Sequence, residues 1–136
     1  MNIIEALFQH RHRNITCFVI RQQRKRHHLG EHNHMNLIAP GNTCIFTATP
    51  IPAGAVPQGS VPSWTSSDTT NAPVTADATG LSGTVAIPSS AQVGASFTLG
   101  VSYTNPDGVV ATGSASFTIV APPQPDITGF TIEQTA

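Results

Sequence analysis

The sequence predicts an all-β fold, a sandwich of about seven short strands with a basic segment in front of it. Three observations lead there. Apolar residues recur at every second position in several short runs, and Gly, Pro, Asn and Asp collect between those runs. Charged residues make up only 10% of the chain, against ~25% in ordinary soluble domains. Thr, Ser, Gly, Pro, Ala and Val fill the gap; β-branched residues suit a pleated surface, and Gly and Pro interrupt helices.

The front of the chain is a different kind of polypeptide. All six Lys/Arg residues and all six histidines lie within residues 1–34. The segment carries a formal +4, whereas the five acids Asp68, Asp77, Asp107, Asp126 and Glu133 leave the remainder at −5. Arg21-Gln22-Gln23-Arg24-Lys25-Arg26-His27-His28 is a candidate phosphate-binding run, since clustered cations gain affinity by counterion release. It has no aromatic platform beside it. His27, His28, His32 and His34 are weak candidates for a transition-metal site; His28 and His32 have i, i+4 spacing, but Gly30 lies between them and no Cys or acid completes a ligand set. The bias changes abruptly at Met35. Residues 1–34 are therefore expected to be a disordered or partly helical leader, or a non-native extension, outside the fold. Residues 15–20 carry no clear period. They are also too short for a signal h-region, and they lead into Arg rather than a cleavage site. No run approaches the ~18 apolar residues of a membrane span. Cys17 and Cys44 fall on opposite sides of the boundary and read as thiols rather than as a bridge.

From residue 35 to 121 the period is 2. Cys44, Phe46 and Ala48 alternate with Ile45, Thr47 and Thr49, and Pro50, lacking a backbone donor, is expected to end that strand. Val61–Thr65 is a short strand carrying Trp64. Val74–Ala76 is a weak one, followed by the turn Asp77-Ala78-Thr79-Gly80. Leu81, Gly83, Val85 and Ile87 then alternate with Ser82, Thr84 and Ala86. Phe97, Leu99, Val101 and Tyr103 alternate with Ser96, Thr98, Gly100, Ser102 and Thr104. Asn105-Pro106-Asp107-Gly108 should reverse the chain, with Pro106 presetting φ and Gly108 taking the left-handed position. The returning strand puts Val109, Ala111, Gly113, Ala115, Phe117 and Ile119 on one face, with Thr112, Ser114, Ser116 and Thr118 on the other. The expected core is Phe46, Trp64, Leu81, Val85, Ile87, Phe97, Leu99, Val101, Tyr103, Phe117 and Ile119. Two layers are expected because one small sheet cannot hide these faces.

The segments APGNTCIFTATP (Ala39 to Pro50), VPSWTSSD and VTADATGLSGTVAIPSSAQVGASFTLGVSYTNPDGVVATGSASFTIV resemble bacterial immunoglobulin-like (Big) domains. The likeness is to their second group, in surface and phage structural proteins, and it covers roughly residues 37–120. It implies an immunoglobulin-like β-sandwich with a modular scaffold role and fixes no ligand. The Cys and Trp core of antibody-type domains is absent, so Trp64 must pack without a disulfide.

Beyond the sandwich, residues 122–136 read as a Pro-rich spacer, Pro122-Pro123-Gln124-Pro125, then a strand from Ile127 to Gln134. That strand could open a following module, add to a partner's sheet or be a loose tail. Chemistry is poorly supplied. No His, Lys or Arg follows His34, so a general base near pH 7 would have to be a carboxylate with a displaced pKa. The acids are scattered, Asp68, Asp77 and Asp107 sit where Asp caps turns, and no calcium loop is present. The expectation is a noncatalytic structural or adhesive module of a bacterial cell surface or phage virion. It needs no cofactor, and it meets other protein modules or cell-surface glycans through a hydroxyl-rich, charge-poor surface. Nucleic acid is not expected as a ligand of the β domain. The alternative is a nucleic-acid- or metal-binding protein acting through the basic His-rich front segment.

Overall fold

The computed structural model describes residues 13–25 and 34–124. The described part is all-β. Its strands are β1 (Cys17–Gln22), β2 (Arg24–Lys25), β3 (His34–Met35), β4 (Thr43–Ile51), β5 (Ser63–Ser66), β6 (Val74–Ala76), β7 (Ser82–Ala86), β8 (Ser96–Thr104) and β9 (Val110–Thr118). Seven of them form one mixed sheet in the order β5-β8-β9-β1-β4-β7-β6, and β2 and β3 pair separately. The sheet curls until its two edge strands, β5 and β6, approach one another, so it is nearly a barrel around one core. Every pairing is antiparallel except that of β1 with β9, made through Cys17 and Thr112.

The alternation places the core. Phe46, Val85, Ile87, Phe97, Leu99, Val101, Tyr103 and Ile119 are buried, and Trp64, Leu81 and Phe117 are partly buried against them. Phe117 joins the two halves of the sheet. Its ring centroid lies 4.7 Å from that of Phe46 on β4 and 5.8 Å from that of Phe97 on β8. The β8–β9 register sets large residues opposite small ones: Leu99 faces Ala115, Val101 faces Gly113, and Tyr103 faces Ala111. The small side of that pairing leaves a floor for something else.

What fills it is β1, and this corrects the reading of the front segment. Residues 1–34 do not lie wholly outside the fold: Ile15, Phe18 and Ile20 are core residues. Phe18 passes over Gly113 so closely that a Cβ there would overlap the Phe18 carbonyl, and its ring meets Tyr103 edge-on at 6.4 Å. The side chain of Asn105, itself buried, acts as a piece of strand. Its Oδ1 accepts from the Ile15 N–H at 2.9 Å, and its Nδ2 donates to the Ile15 carbonyl at 2.8 Å and the Val109 carbonyl at 3.0 Å. Asn14 adds a bond from Nδ2 to the Asp107 carboxylate. Both backbone groups of Ile15 are thus satisfied at a point where water is excluded.

Three smaller expectations also change. β4 runs through Pro50 to Ile51. The Ala48 N–H points at the Leu81 carbonyl, just before β7 begins; two residues on, Pro50 would point its missing N–H past that strand, so nothing is lost. β5 begins at Ser63, and Val61 is exposed. β9 begins at Val110, and Val109 is exposed in the turn instead of lying on the inner face. The turn itself is as the sequence suggests: Gly108 has φ 88°, its N–H bonds the Asn105 carbonyl, and Asp107 caps the Val109 N–H. Cys44 is buried with its thiol against the Asn36 and Leu37 carbonyls, whereas Cys17 faces outward, so the two sulfurs occupy opposite faces. The strand expected at Ile127–Gln134 lies outside the described residues.

Candidate functional site

The most distinctive surface is the outward face of β5, β8 and β9. Because strand side chains alternate, the residues that leave the core here are the intervening Ser and Thr. The register aligns them in rows: Ser63, Ser102 and Thr112; Thr65, Gly100 and Ser114; then Thr98 with Ser116 and Ser96 with Thr118. Ser67 continues β5, exchanging bonds with the backbone of Thr98 through its N–H and its Oγ. Neighbouring hydroxyls pair across the strands, Thr98 Oγ1 with Ser116 Oγ at 2.8 Å and Ser96 Oγ with Thr118 Oγ1 at 3.1 Å. These rows carry no ionisable side chain and no large apolar one. The result is a neutral carpet of hydroxyl donors and acceptors, held in register by the backbone ladder beneath it.

The opposite face, on β1 and β4, is of another character. Val19, Ile45 and Ile51 are exposed there among Thr49, Cys17 and Arg21. Nearby, Gln23, Arg24, Asn36, Thr43 and Ile45 line a shallow groove. Of the basic run, Arg21 and Arg24 are exposed at this end, and Arg26 to His28 lie outside the described residues. So do His27, His28 and His32 of the candidate metal set, while His34 supplies backbone to β3. Among the described residues no three His, Cys, Asp or Glu gather into a metal-binding group.

The acids serve turns. Asp68 Oδ1 accepts from the N–H of Thr70 and of Asn71, and its Oδ2 from Asn71 Nδ2 at 2.8 Å. The Asn71 side chain, then its N–H, hold this carboxyl below the usual carboxylate value. Partial desolvation opposes ionisation of Asp77, but donors outweigh it, with Thr79 Oγ1 at 2.9 Å and the Ser82 N–H at 3.2 Å, and its pKa is also lowered.

The alternation of Ser and Thr on β8 and β9 was readable from the sequence; the contribution of β5 was obscured by its shortness, Ser63-Trp64-Thr65-Ser66. From the sequence Asn105 reads as a turn residue only. Its second role, holding β1, has no local signal, because its partner lies 90 residues away. Among the described residues no helix is long and apolar enough to cross a membrane. Comparison with protein-family models, with curated proteins and with solved structures finds no match.

Proposed function

We propose that the chain is a noncatalytic structural or adhesive module, an immunoglobulin-like sandwich that works as a building block of a phage virion or bacterial cell surface. The strand order supports the fold reading. An immunoglobulin constant-type sandwich has strands A, B, E and D in one layer and C, F and G in the other. Taking β1 as A and β4 to β9 as B to G, the order β5-β8-β9-β1-β4-β7-β6 reads C-F-G-A-B-E-D. The resemblance of residues 37–120 to Big domains points the same way. The observation that carries the functional reading is the hydroxyl face of β5, β8 and β9, which offers hydrogen bonds without charge. Such a face suits neutral glycans or a neighbouring module, and it attracts no polyanion.

The reading is tested with Thr65→Arg and Ser114→Arg together, which put two bulky cations on the middle row while leaving the core untouched. The purified chain is passed over immobilised neutral polysaccharides. The expected result is retention of the wild type on at least one and a loss of about tenfold or more in the double variant, a change of ~1.4 kcal/mol. Surface changes of this kind alter stability by only about 0.5 kcal/mol each, so melting should barely move. Retention unaffected by the two arginines, or turnover of any of these polysaccharides, would overturn it.

A further inference from the structure

The sequence of the strand that fills the core slot recurs near the end of the chain. Asn14-Ile15-Thr16-Cys17-Phe18-Val19-Ile20-Arg21-Gln22 aligns without a gap to Asp126-Ile127-Thr128-Gly129-Phe130-Thr131-Ile132-Glu133-Gln134, with Ile, Thr, Phe, Ile and Gln the same in both. The identities coincide with the contacts that hold β1. Ile15, Phe18 and Ile20 are its buried side chains. Thr16 donates its Oγ1 to the Ile51 carbonyl at 3.0 Å, and Gln22 its Nε2 to the Asn36 carbonyl at 2.6 Å. The differences fall at Asn14, Cys17, Val19 and Arg21, all of them exposed. A segment that keeps the docking residues and varies only toward solvent has what the slot requires. Asn105 adds no objection, since it reads the main-chain N–H and C=O of Ile15 and would read those of Ile127 equally.

The second segment cannot enter the slot of its own chain in the direction of β1. Val120 is held by its N–H to the Ile38 carbonyl, at the end of β9 away from the Asn105 turn. Six residues lead from there to Asp126, a reach of at most ~22 Å. β9 runs from Val110 to Thr118, a span of ~26 Å at ~3.3 Å per residue. The Asn14 position lies beyond its start, beside Asp107. A second molecule has no such limit.

We propose that residues 126–134 of one copy occupy the β1 slot, between β4 and β9, of a second copy, linking chains head to tail by strand donation. The slot is normally filled by β1, whose tether gives it an effective concentration of about millimolar, so donation follows only when β1 leaves. Phe130 then lies over Gly113 and against Tyr103, as Phe18 does. One position is mismatched: Asp126 meets the Asp107 carboxylate where Asn14 donates a hydrogen bond, and Asp126→Asn should tighten the link. This goes beyond the hydroxyl-face reading and uses different residues.

The test is the full chain carrying Phe18→Asp, which expels β1, compared by sedimentation with Phe18→Asp/Phe130→Asp. The first is expected to form dimers and longer species at micromolar concentration, and the second to stay monomeric; the same mass distribution for both would overturn the proposal. Should the Phe18→Asp chain lack β-sheet circular dichroism, a synthetic peptide of residues 126–136 should restore it and the same peptide with Phe130→Asp should not. Restoration by neither, or by both, overturns it as well. Thr65 and Ser114 are outside the slot, so failure here leaves the hydroxyl-face reading standing.

Discussion

β1 and the β8–β9 hairpin are built on the same two-residue period, yet they are secured by opposite means. The hairpin pairs neighbours in sequence through a turn that caps itself, from the Asn105 N–H to the Val109 carbonyl and from the Val109 N–H to Asp107. β1 is secured at long range: Thr16 bonds Ile51 35 residues away, and Ile15 bonds Asn105 90 residues away. Closing long loops costs more entropy than closing a turn, though the cost grows only slowly with length. β1 has a ladder of its own, antiparallel to β4 from Cys17 to Gln22, but meets β9 through one bridge, Cys17 to Thr112, whereas the hairpin ladder runs unbroken from Ser96 to Thr104. Between these two regions, the strand with a single bridge on one side, β1, is expected to open before the hairpin.

The strongest way to break that comparison is Phe18→Ala. Truncating a buried Phe costs about 3–5 kcal/mol through lost transfer energy and the cavity left behind, a large share of the ~5–15 kcal/mol that stabilises a typical domain. Urea unfolding would measure it. The same truncation at Phe97 should cost a similar amount, but hydrogen exchange should separate the two. Phe18→Ala is expected to release the amides of β1 while β8 and β9 stay protected, and Phe97→Ala to lower protection throughout. A loss below ~1 kcal/mol for Phe18→Ala would be too small for a core residue.

A smaller effect is expected at the turn where the two regions meet. Asn105→Ala strips hydrogen bonds from both backbone groups of Ile15 and leaves them buried, at about 1–3 kcal/mol. Asp107→Ala removes a cap from the exposed Val109 N–H and a contact to Asn14, for about 1 kcal/mol. Combined with Phe18→Ala, the loss at Asn105 should shrink, because both act on one strand and neighbouring sites are not additive. Full additivity in urea unfolding would mean that Asn105 supports the hairpin rather than β1.

The same contrast explains what could be read in the sequence. On β8 and β9 the apolar and hydroxyl residues separate cleanly, so both strands and their wet face are legible, Val109 alone being misplaced by the turn. On β1 they do not. Cys17 and Val19 are apolar on the outer face, so Ile15 to Ile20 reads as a nearly continuous run, which periodicity cannot assign. The surrounding Arg and His then argued against burial, although Arg21 needs only to point outward. Pro50 misled for a related reason: the rule against a strand proline concerns its missing donor, and whether that donor has a partner depends on where β7 begins. The all-β class and the strands β4 to β9 are accordingly legible, as are the hydroxyls of the candidate surface on β8 and β9, whereas the joining of the strands into one mixed sheet instead of two separate layers is not. The slot in which β1 lies is a property of tertiary structure, since the small residues Ala111, Gly113 and Ala115 have meaning only against Phe18 and its neighbours.

The smallest expected effect concerns acid, at the turns that follow β5 and β6. Asp68 follows β5 and Asp77 follows β6, at the edges of the sheet farthest in strand order from β1. Both carboxyls have folded pKa values lowered from 3.8. A lowered folded value means that the native state binds the proton less readily than the unfolded chain. The contribution of each is therefore fully present above the unfolded value and is lost as pH falls through the folded one. No loss from these two groups is expected between pH 7 and about pH 5, with a modest decline beginning near the ordinary carboxylate range of ~4. Urea midpoints of the wild type and of Asp68→Asn/Asp77→Asn across that range check it: the variant should be weaker at neutral pH and show the shallower acid decline. Hydrogen exchange on acidification should accordingly loosen the β5 and β6 turns more in the wild type than in Asp68→Asn/Asp77→Asn, and equal loosening in both would mean that these carboxylates do not brace the turns.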